Sequence, residues 1–255
     1  MLILLPPSEG KTPAAAGDPV DHDQLWLPGL ATARRRVITR LVAMCKRTSA
    51  RSVADSLRVL GLSEGQKDEI PRNAALPDAP AAPAVEVYTG VLYEALDAAT
   101  LPPAAQSWLF ERAVVFSGLW GAVRLGDRIP AYRCSVGVSL PGVGGLTAYW
   151  KKQLRPAVPE GLVLDLRSGA YGAMWSPAGP AATVRVLHER LVGGVPKRAV
   201  VSHFNKATKG RIVRALAESG AEFGSIGDVV ATLRDLKYTV EEPAPGQLDV
   251  VVTEL

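Results

Sequence analysis

The sequence predicts a mixed α/β fold, and three observations lead to this prediction. Short apolar runs of four or five residues alternate along the chain with longer segments whose apolar residues recur at helical spacing. Hydrophobic residues make up 47% and charged residues 21% of the 255 positions, an ordinary globular composition that excludes wholesale disorder. The elements show no short repeat period, which argues against a repeat protein. We therefore expect one mixed sheet with surrounding helices.

The predicted strands are short and almost wholly apolar, as expected for strands that are buried on both faces. They cover residues 2–5, 113–116, 162–165, 183–187, 199–202, 237–240 and 248–252. Polar segments follow several of them, and strand-end loops of an α/β sheet commonly meet at one edge. We expect the functional site at that edge.

The predicted helices rest on the period of their apolar positions. They cover residues 30–47, 53–62, 91–98, 102–112, 147–153, 207–219 and 226–236. In the first, Leu30, Val37, Ile38 and Leu41 share a face. The length fits one large domain or two small ones. We expect a single domain over residues 1–255, in which the helical portion at about 24–76 could form a subdomain. The Pro- and Ala-rich passage at 77–83 is the best linker candidate.

The positive charge of the chain is concentrated in one window. The formal net charge is only +4, yet residues 190–217 contain seven basic and no acidic residues. The seven are Arg190, Lys197, Arg198, Lys206, Lys209, Arg211 and Arg214. Outside the window 22 basic residues face 25 acidic ones, so the remainder is slightly acidic. The window predicts an anion site, although a solvated basic helix would give the same pattern.

The richest part of this window runs from His203 to Arg211, where we expect a buried strand to lead into a helix. Asn205 has the residue type of a helix N-cap. Lys206 and Lys209 are three apart and can face the same way, beside helix-start amides that suit an anion. His203 is open to two interpretations, a packed structural histidine or a catalytic one.

Two further loops carry polar residues after predicted strands. Ser8-Glu9-Gly10-Lys11-Thr12 resembles half of a phosphate loop, but Leu5 stands where the first glycine would be needed. A cation beside small residues suits an anion, and a plain polar turn is the alternative. Ser117-Gly118-Leu119-Trp120-Gly121 resembles a hydrolase nucleophile elbow loosely, because Val115 replaces its first glycine. A tight turn with Trp120 in the core is the rival interpretation.

Strand-end and loop residues in the middle of the chain could bind a nucleotide-like anion. Arg133 can hold a phosphate bidentately and Tyr132 can stack a base, unless Arg133 pairs with Asp127. Asp165, Ser168 and Tyr171 place a carboxylate and two hydroxyls within seven positions, although Ser168-Gly169 also suits a simple turn.

Composition also argues against several classes. The two cysteines, Cys45 and Cys134, provide neither a disulfide framework nor a CxxC zinc site. With only three histidines, we predict no metal centre and no cofactor. Neither a signal peptide nor a membrane span is visible. We therefore expect a cytoplasmic protein with reduced thiols and no membrane partner.

Six motifs together resemble the YaaA family of peroxide-stress proteins. They are Pro7-Ser8…Lys11-Thr12, Tyr88-Thr89-Gly90…Tyr93, Ser117-Gly118-Leu119-Trp120-Gly121, Ile129-Pro130…Tyr132-Arg133, Asp165…Ser168…Tyr171 and Asn205-Lys206…Lys209-Gly210. The resemblance implies a cytoplasmic protein that limits free iron and oxidative DNA damage. It also implies a mixed α/β fold around a positively charged cleft, a helix-hairpin-helix-like element and binding of double-stranded DNA. The hairpin candidate at 53–68 lacks a clear GxG.

Two functional hypotheses follow, and the sequence does not determine the oligomeric state. The first is a DNA-binding stress protein whose basic residues contact phosphates. Those residues are Arg34, Arg35, Arg36, Lys206, Lys209, Arg211 and Arg214. The second is a lysine-dependent glycosylase or lyase on a nucleotide, nucleobase or damaged DNA. Lys206 is the favoured nucleophile, Lys11 or Lys209 would serve equally, and Asp165 would orient the lysine or act as base. Direct iron handling ranks third.

Across the two hypotheses, we expect a common set of polar residues to bind phosphate or nucleic acid. They are Ser8, Lys11, Tyr88, Ser117, Arg133, Ser168, Tyr171, Asn205, Arg211 and Arg214.

Overall fold

An eight-stranded, mainly parallel sheet forms the centre of the protein, so the predicted mixed α/β class is confirmed. The computed structural model describes residues 1–193 and 195–253, and within these ranges the side chains of Val192, Ser202 and His203 are left undescribed. The strands are β1 (Leu2–Leu5), β2 (Ala82–Pro83), β3 (Ala113–Ser117), β4 (Gly121–Arg124), β5 (Arg128–Ile129), β6 (Ser139–Leu140), β7 (Gly144–Gly145), β8 (Val163–Asp165), β9 (Ala181–Val192), β10 (Val195–Ala199), β11 (Thr239–Ala244) and β12 (Gln247–Val252).

Helices surround this sheet. They are α1 (Ala31–Cys45), α2 (Ala50–Leu60), α3 (Glu69–Ala74), α4 (Ala84–Val87), α5 (Val91–Leu96), α6 (Pro103–Arg112), α7 (Leu146–Leu154), α8 (Gly169–Gly172), α9 (Ser202–Ser219) and α10 (Ile226–Asp235). Most predicted helices are thus confirmed to within a few residues. No helix in the described part of the chain combines the length and the apolar character needed to cross a bilayer.

The order of the strands places β1 near the middle of the sheet. The order is β11-β12-β9-β8-β1-β3-β4, with β10 pairing to β9. β1 runs parallel to both β8 and β3. Ile3, Leu4 and Leu5 are completely buried, because a central parallel strand is covered on both faces. This burial explains why the strand reads as an uninterrupted apolar run.

The basic window differs from its prediction at the strand that precedes α9. We expected a buried strand at 199–202, but β10 covers Val195–Ala199, is exposed throughout and pairs antiparallel with the end of β9. α9 begins at Ser202, so Asn205 lies inside the helix and is not its N-cap. The apolar run 199–201 suggested a strand, yet Val200 is exposed. The apolar run 199–201 therefore did not indicate a buried strand.

α2 and α3 occupy the position of the predicted helix-hairpin-helix element. Gly61 ends α2 in the left-handed conformation, with φ of 67°. The amides of Gly61 and Leu62 donate to carbonyls of α2 itself, those of Arg58 and Leu57. Such bonds are those of a helix C-cap. These two amides are therefore already used within the helix end.

α5 and α9 cross closely at Gly210. A Cβ atom at this position would overlap the carbonyl oxygen of Leu92 and lie 2.9 Å from the amide nitrogen of Leu96. Glycine is thus required for the approach of the two helices. Gly210 therefore lies at the contact between α5 and α9, one residue after Lys209.

Candidate active site

Three polar segments meet at the carboxyl edge of β8, β1 and β3. Leu4 pairs with Asp165 on one side of β1, and Leu5 pairs with Val115 on the other. The segments that follow these strands therefore leave the sheet side by side. This arrangement confirms that strand-end residues separated by more than a hundred positions share one edge.

Lys11 lies in the segment that follows β1 at this edge. Its Nζ donates to the carbonyl oxygen of Ser8 at 2.6 Å and lies 3.4 Å from that of Glu9. The same atom lies 4.3 Å from the ring centre of Tyr132 and 5.5 Å from that of Tyr88. An isolated antiparallel β-bridge between the backbones of Lys11 and Tyr88 holds the loop that follows β1.

The surroundings of Lys11 favour the neutral amine. Burial of the amine, with the positive charge of Arg133 as the second cause, lowers the pKa of Lys11 to about 7. A neutral amine has two N–H donors and one lone pair. Because the two carbonyl oxygens occupy the donors, the lone pair stays available for attack on an electrophile.

A chain of three hydroxyls lies under Lys11. The Oγ of Ser117 accepts from the amides of Leu119 and Trp120, each at 3.1 Å, which occupies both of its lone pairs. Ser117 therefore donates to the Oη of Tyr132 at 2.6 Å, and Tyr132 donates to the Oη of Tyr88 at 2.9 Å. The Tyr88 proton is left without an acceptor among the described residues.

The Tyr88 hydroxyl is the terminal donor of this chain, in a side chain that is almost completely buried. Burial raises the pKa of Tyr88 and of Tyr132 above the ordinary tyrosine value, so both stay protonated at neutral pH. Ser117, predicted as a hydrolase nucleophile in one interpretation, is fully buried and hydrogen-bonded. The nucleophile-elbow interpretation is therefore wrong, and the tight-turn interpretation is confirmed, because Trp120 is also fully buried.

Arg133 lies beside Lys11 and pairs with Glu9. Its Nη1 donates to the carbonyl oxygen of Glu9 at 3.0 Å, and its Nη2 contacts the Glu9 carboxylate at 2.6 Å. The alternative pair with Asp127 is wrong, since the Asp127 carboxylate accepts instead from the amides of Trp26 and Arg124. The Arg133 guanidinium is thus directed at the site.

Asp165 and Lys209 form the β8 side of the site. Asp165 is held by Arg167, which donates to its two oxygens at 2.9 and 2.7 Å. The Nζ of Lys209 donates to the carbonyl oxygen of Leu166 at 2.9 Å. Burial lowers the pKa of Lys209 to about 8, while Asp165 opposes that shift. Lys209 is thus a second buried amine. Both carboxylate oxygens of Asp165 accept hydrogen bonds from Arg167.

The α8 segment contributes the last predicted residues of this edge. Ser168 is exposed just before α8, and its carbonyl accepts from the amide of Gly172. The Tyr171 carbonyl accepts from Arg167 at 3.1 Å. Burial raises the pKa of the half-buried Tyr171 phenol to about 12. Among the described residues, no group of three or more metal-ligating side chains meets here or elsewhere.

Comparison with known proteins identifies the family. A family model described as peroxide stress protein YaaA matches residues 1–244. The chain belongs to the YaaA family. A UPF0246 protein of Streptomyces coelicolor is 51% identical over the full length of both chains. A UPF0246 protein of Corynebacterium efficiens is 45% identical, with 94% of this chain and 95% of the relative covered. An uncharacterized protein of Campylobacter jejuni is 27% identical over 86% of this chain.

The α9 residues of this YaaA-family chain divide into buried and exposed groups. Lys206 and Arg211 are exposed, whereas Lys209 is buried. The Oδ1 of Asn205 is buried and has no hydrogen-bond partner among the described residues. Arg214 donates to the carbonyls of Leu96 and Asp97 at the end of α5 and pairs with Glu218. The His203 side chain lies outside the described part of the chain.

The predicted phosphate contacts on α1 of the YaaA-family chain are partly wrong. Arg34 is completely buried. Its guanidinium donates to four carbonyl oxygens, those of Trp26, Leu27, Trp120 and Ala122. Arg35 is exposed and pairs with Asp23 at 2.7 Å, and Arg36 donates to the carbonyl of Gly142. Arg34 cannot reach a phosphate because its guanidinium is buried and hydrogen-bonded to these four carbonyl oxygens.

Sequence reasoning missed two partners that define the site of this YaaA-family chain. Glu9 meets Arg133 across 124 positions, and no local pattern connects them. Asn73 holds the backbone of Arg133, accepting from its amide at 2.9 Å and donating to its carbonyl at 2.8 Å. Asn73 is itself completely buried on α3. The available signal in the sequence was a polar residue three positions after Ile70, on the face that a helix would bury.

Proposed function

We propose that the chain is a lysine-dependent enzyme of the peroxide-stress response that acts on the sugar carbon of a nucleotide or of damaged DNA. The observation that carries this proposal is the Lys11 amine, hydrogen-bonded to backbone carbonyls above Tyr132 and beside Arg133. Lys206, which the sequence favoured as nucleophile, is exposed. Lys11 has the surroundings that an amine nucleophile requires.

The reaction would begin with attack of the Lys11 nitrogen on an aldehyde carbon of an opened sugar. A C–N bond forms while the carbonyl oxygen takes a proton, which the free hydroxyl proton of Tyr88 can supply. The two N–H hydrogens of the amine leave with that oxygen as water, which gives an imine and returns the proton to Tyr88. A water molecule would then take a proton from the carbon next to the imine carbon, and the phosphate ester on the following carbon would leave. Hydrolysis of the imine would free the product and restore Lys11. Arg133 would hold an anionic group of the substrate.

Trapping of the imine tests the proposal. We expect cyanoborohydride to fix an oligonucleotide that ends in a 5′-phosphorylated abasic sugar, or ribose 5-phosphate, to Lys11, with peptide mass spectrometry locating the adduct. Lys11→Ala should abolish that adduct, and Lys206→Ala is the matched control that should retain it. An adduct of unchanged yield in Lys11→Ala would overturn the assignment. Adduct loss in Lys209→Met but not in Lys11→Ala would assign the role to Lys209.

The second candidate function is DNA binding, and one observation outside the site favours it. Arg190 and Lys197 lie directly opposite each other on the two-stranded arm formed by the end of β9 and β10. Both are exposed. Directly opposed like charges destabilise a strand pair unless an anion lies between them. A basic two-stranded ribbon fits a groove of duplex DNA.

A salt series tests this second candidate. For duplex DNA, Arg190→Ala/Lys197→Ala should lower the slope of log K against log salt by about 2. Lys151→Ala/Lys152→Ala removes two exposed charges from α7 and is the matched control. Equal slopes for both double variants would exclude the arm. Protection against iron-dependent damage is implied by the family resemblance. It would then depend on repair at the Lys11 site or on a DNA contact elsewhere on the chain.

A further inference from the structure

We propose that the Arg133–Glu9 ion pair is a closed anion subsite, in which the Glu9 carboxylate occupies the position of a terminal phosphate of the substrate. This proposal deepens the lysine-dependent function and rests on it for the identity of the reacting group. It assigns a phosphomonoester, such as a nucleoside monophosphate or a strand-end phosphate, as the substrate class. Glu9 then acts as an internal competitor that only a doubly charged ligand displaces.

Arg133 is the fixed partner of this pair. The Asn73 side chain holds both polar groups of the Arg133 backbone, at 2.9 and 2.8 Å. The Arg133 side chain is only 18% exposed. Its two terminal nitrogens point to two oxygens of Glu9, one from the main chain and one from the side chain. A guanidinium held in this way is preorganised for two oxygens of a tetrahedral anion.

Glu9 is the movable partner. Its side chain is 80% exposed, and among the described residues its carboxylate has a hydrogen bond and ion pair with Arg133 alone. Ion pairs with such exposure contribute little to stability because water and salt screen them. The Glu9 side chain can therefore leave Arg133 without disturbing the core.

Charge decides which ligand can replace Glu9. A tethered carboxylate competes at an effective concentration in the millimolar range or above. A phosphodiester carries one negative charge, as Glu9 does, and gains little by replacing it. A phosphomonoester is largely doubly charged above its second pKa of about 6 and gains an additional attraction. The subsite should therefore discriminate against the internal phosphates of a duplex.

The subsite lies next to the reactive amine. The carbonyl oxygen of Glu9 accepts from Arg133 at 3.0 Å and lies 3.4 Å from the Lys11 Nζ. Because both side chains contact the same carbonyl oxygen, a phosphate bound to Arg133 would lie close to the Lys11 amine. A sugar attached to that phosphate would present its carbon to Lys11.

Direct binding measurements test the subsite without requiring turnover. At pH 8 we expect inorganic phosphate and a nucleoside 5′-monophosphate to bind the full-length chain, and dimethyl phosphate not to bind, by calorimetry. Glu9→Gln should tighten phosphate binding by about 3- to 10-fold, because the internal competitor loses its charge. Arg133→Gln should weaken it at least tenfold. Glu160→Gln, an exposed carboxylate elsewhere on the chain, is the matched control and should bind as the wild type does.

The outcomes separate this inference from the proposed function. Equal phosphate affinity in Glu9→Gln and wild type would overturn it, and so would equal affinity in Arg133→Gln. Binding of dimethyl phosphate as tight as that of phosphate would overturn the choice of a phosphomonoester. Tighter binding in Glu9→Gln together with no Lys11 adduct would support the subsite and exclude the lysine chemistry. Urea unfolding of each variant confirms that the fold is intact.

Discussion

The amine of Lys11 lies 4.3 Å from the centre of the Tyr132 ring. Two effects act on its protonation in opposite directions. The ring face attracts the ammonium form, while burial favours the neutral amine and dominates, lowering the pKa of Lys11 to about 7. The balance leaves both forms populated at neutral pH, as a group that must take up and release protons requires.

The first prediction concerns the pH dependence of Lys11. An amine reacts with an acylating reagent only in its neutral form, so the acylation rate of Lys11 should rise with pH and reach half of its maximum near the pKa of about 7. Arg133→Gln removes a cause of the lowered pKa, so its profile should shift to higher pH. Residue-resolved mass spectrometry between pH 5.5 and 10 measures both. A midpoint near the ordinary lysine value of about 10.4 would contradict the assignment.

The second prediction separates stability from chemistry in the hydroxyl chain. Ser117→Ala leaves two buried amides and Tyr132 without their partner, so we expect a loss of about 1–3 kcal/mol in the free energy of unfolding. Tyr88→Phe removes only the last hydroxyl of the chain. It should change stability by less than about 1.5 kcal/mol and slow imine formation by about 10- to 100-fold.

Urea unfolding and the trapping rate provide the two measurements. If Tyr88→Phe traps the sugar at the wild-type rate, the terminal hydroxyl takes no part in proton transfer.

The third prediction tests the internal role of Arg34. Four carbonyl oxygens lose their donor in Arg34→Ala, so we expect a loss of at least about 3 kcal/mol in the free energy of unfolding. Arg35→Ala removes an exposed arginine and should change it by no more than about 0.5 kcal/mol. Denaturant titration compares the two. Similar values would show that Arg34 makes no special contribution.

The fourth prediction tests the helix crossing at Gly210. Gly210→Ala would push α9 away from the Leu92 carbonyl, and we expect a loss of about 2–4 kcal/mol in the free energy of unfolding. Gly29→Ala is the control, since its Cβ would meet nothing within 4 Å. Differential scanning calorimetry follows both variants. A Gly210→Ala protein as stable as the control would mean that the helices separate at no cost.

Much of the fold could be predicted because short-range patterns control it. The run at 2–5 reads as a buried strand since parallel strands are covered on both faces, and β1 forms there. α1 likewise follows from the apolar face of Val37, Ile38 and Leu41, all of which are buried. The exposed arm of β9 and β10 was missed because no burial shapes its sequence. Its apolar neighbours suggested a buried strand where none lies.

The sequence by itself determined the α/β class, the positions of most core strands and helices, and the polar residues that follow β1 and β8 or end β3. Those properties depend on local periodicity, which a single segment carries. The tertiary structure decided which polar residues are buried in hydrogen-bond networks and which are exposed to solvent. Arg34 and Lys206 both read as exposed cations, yet one is buried under four carbonyls and the other faces solvent. Lys11 became the central amine because Tyr132 and Arg133, distant in sequence, surround it. Desolvation and charge depend on such long-range neighbours.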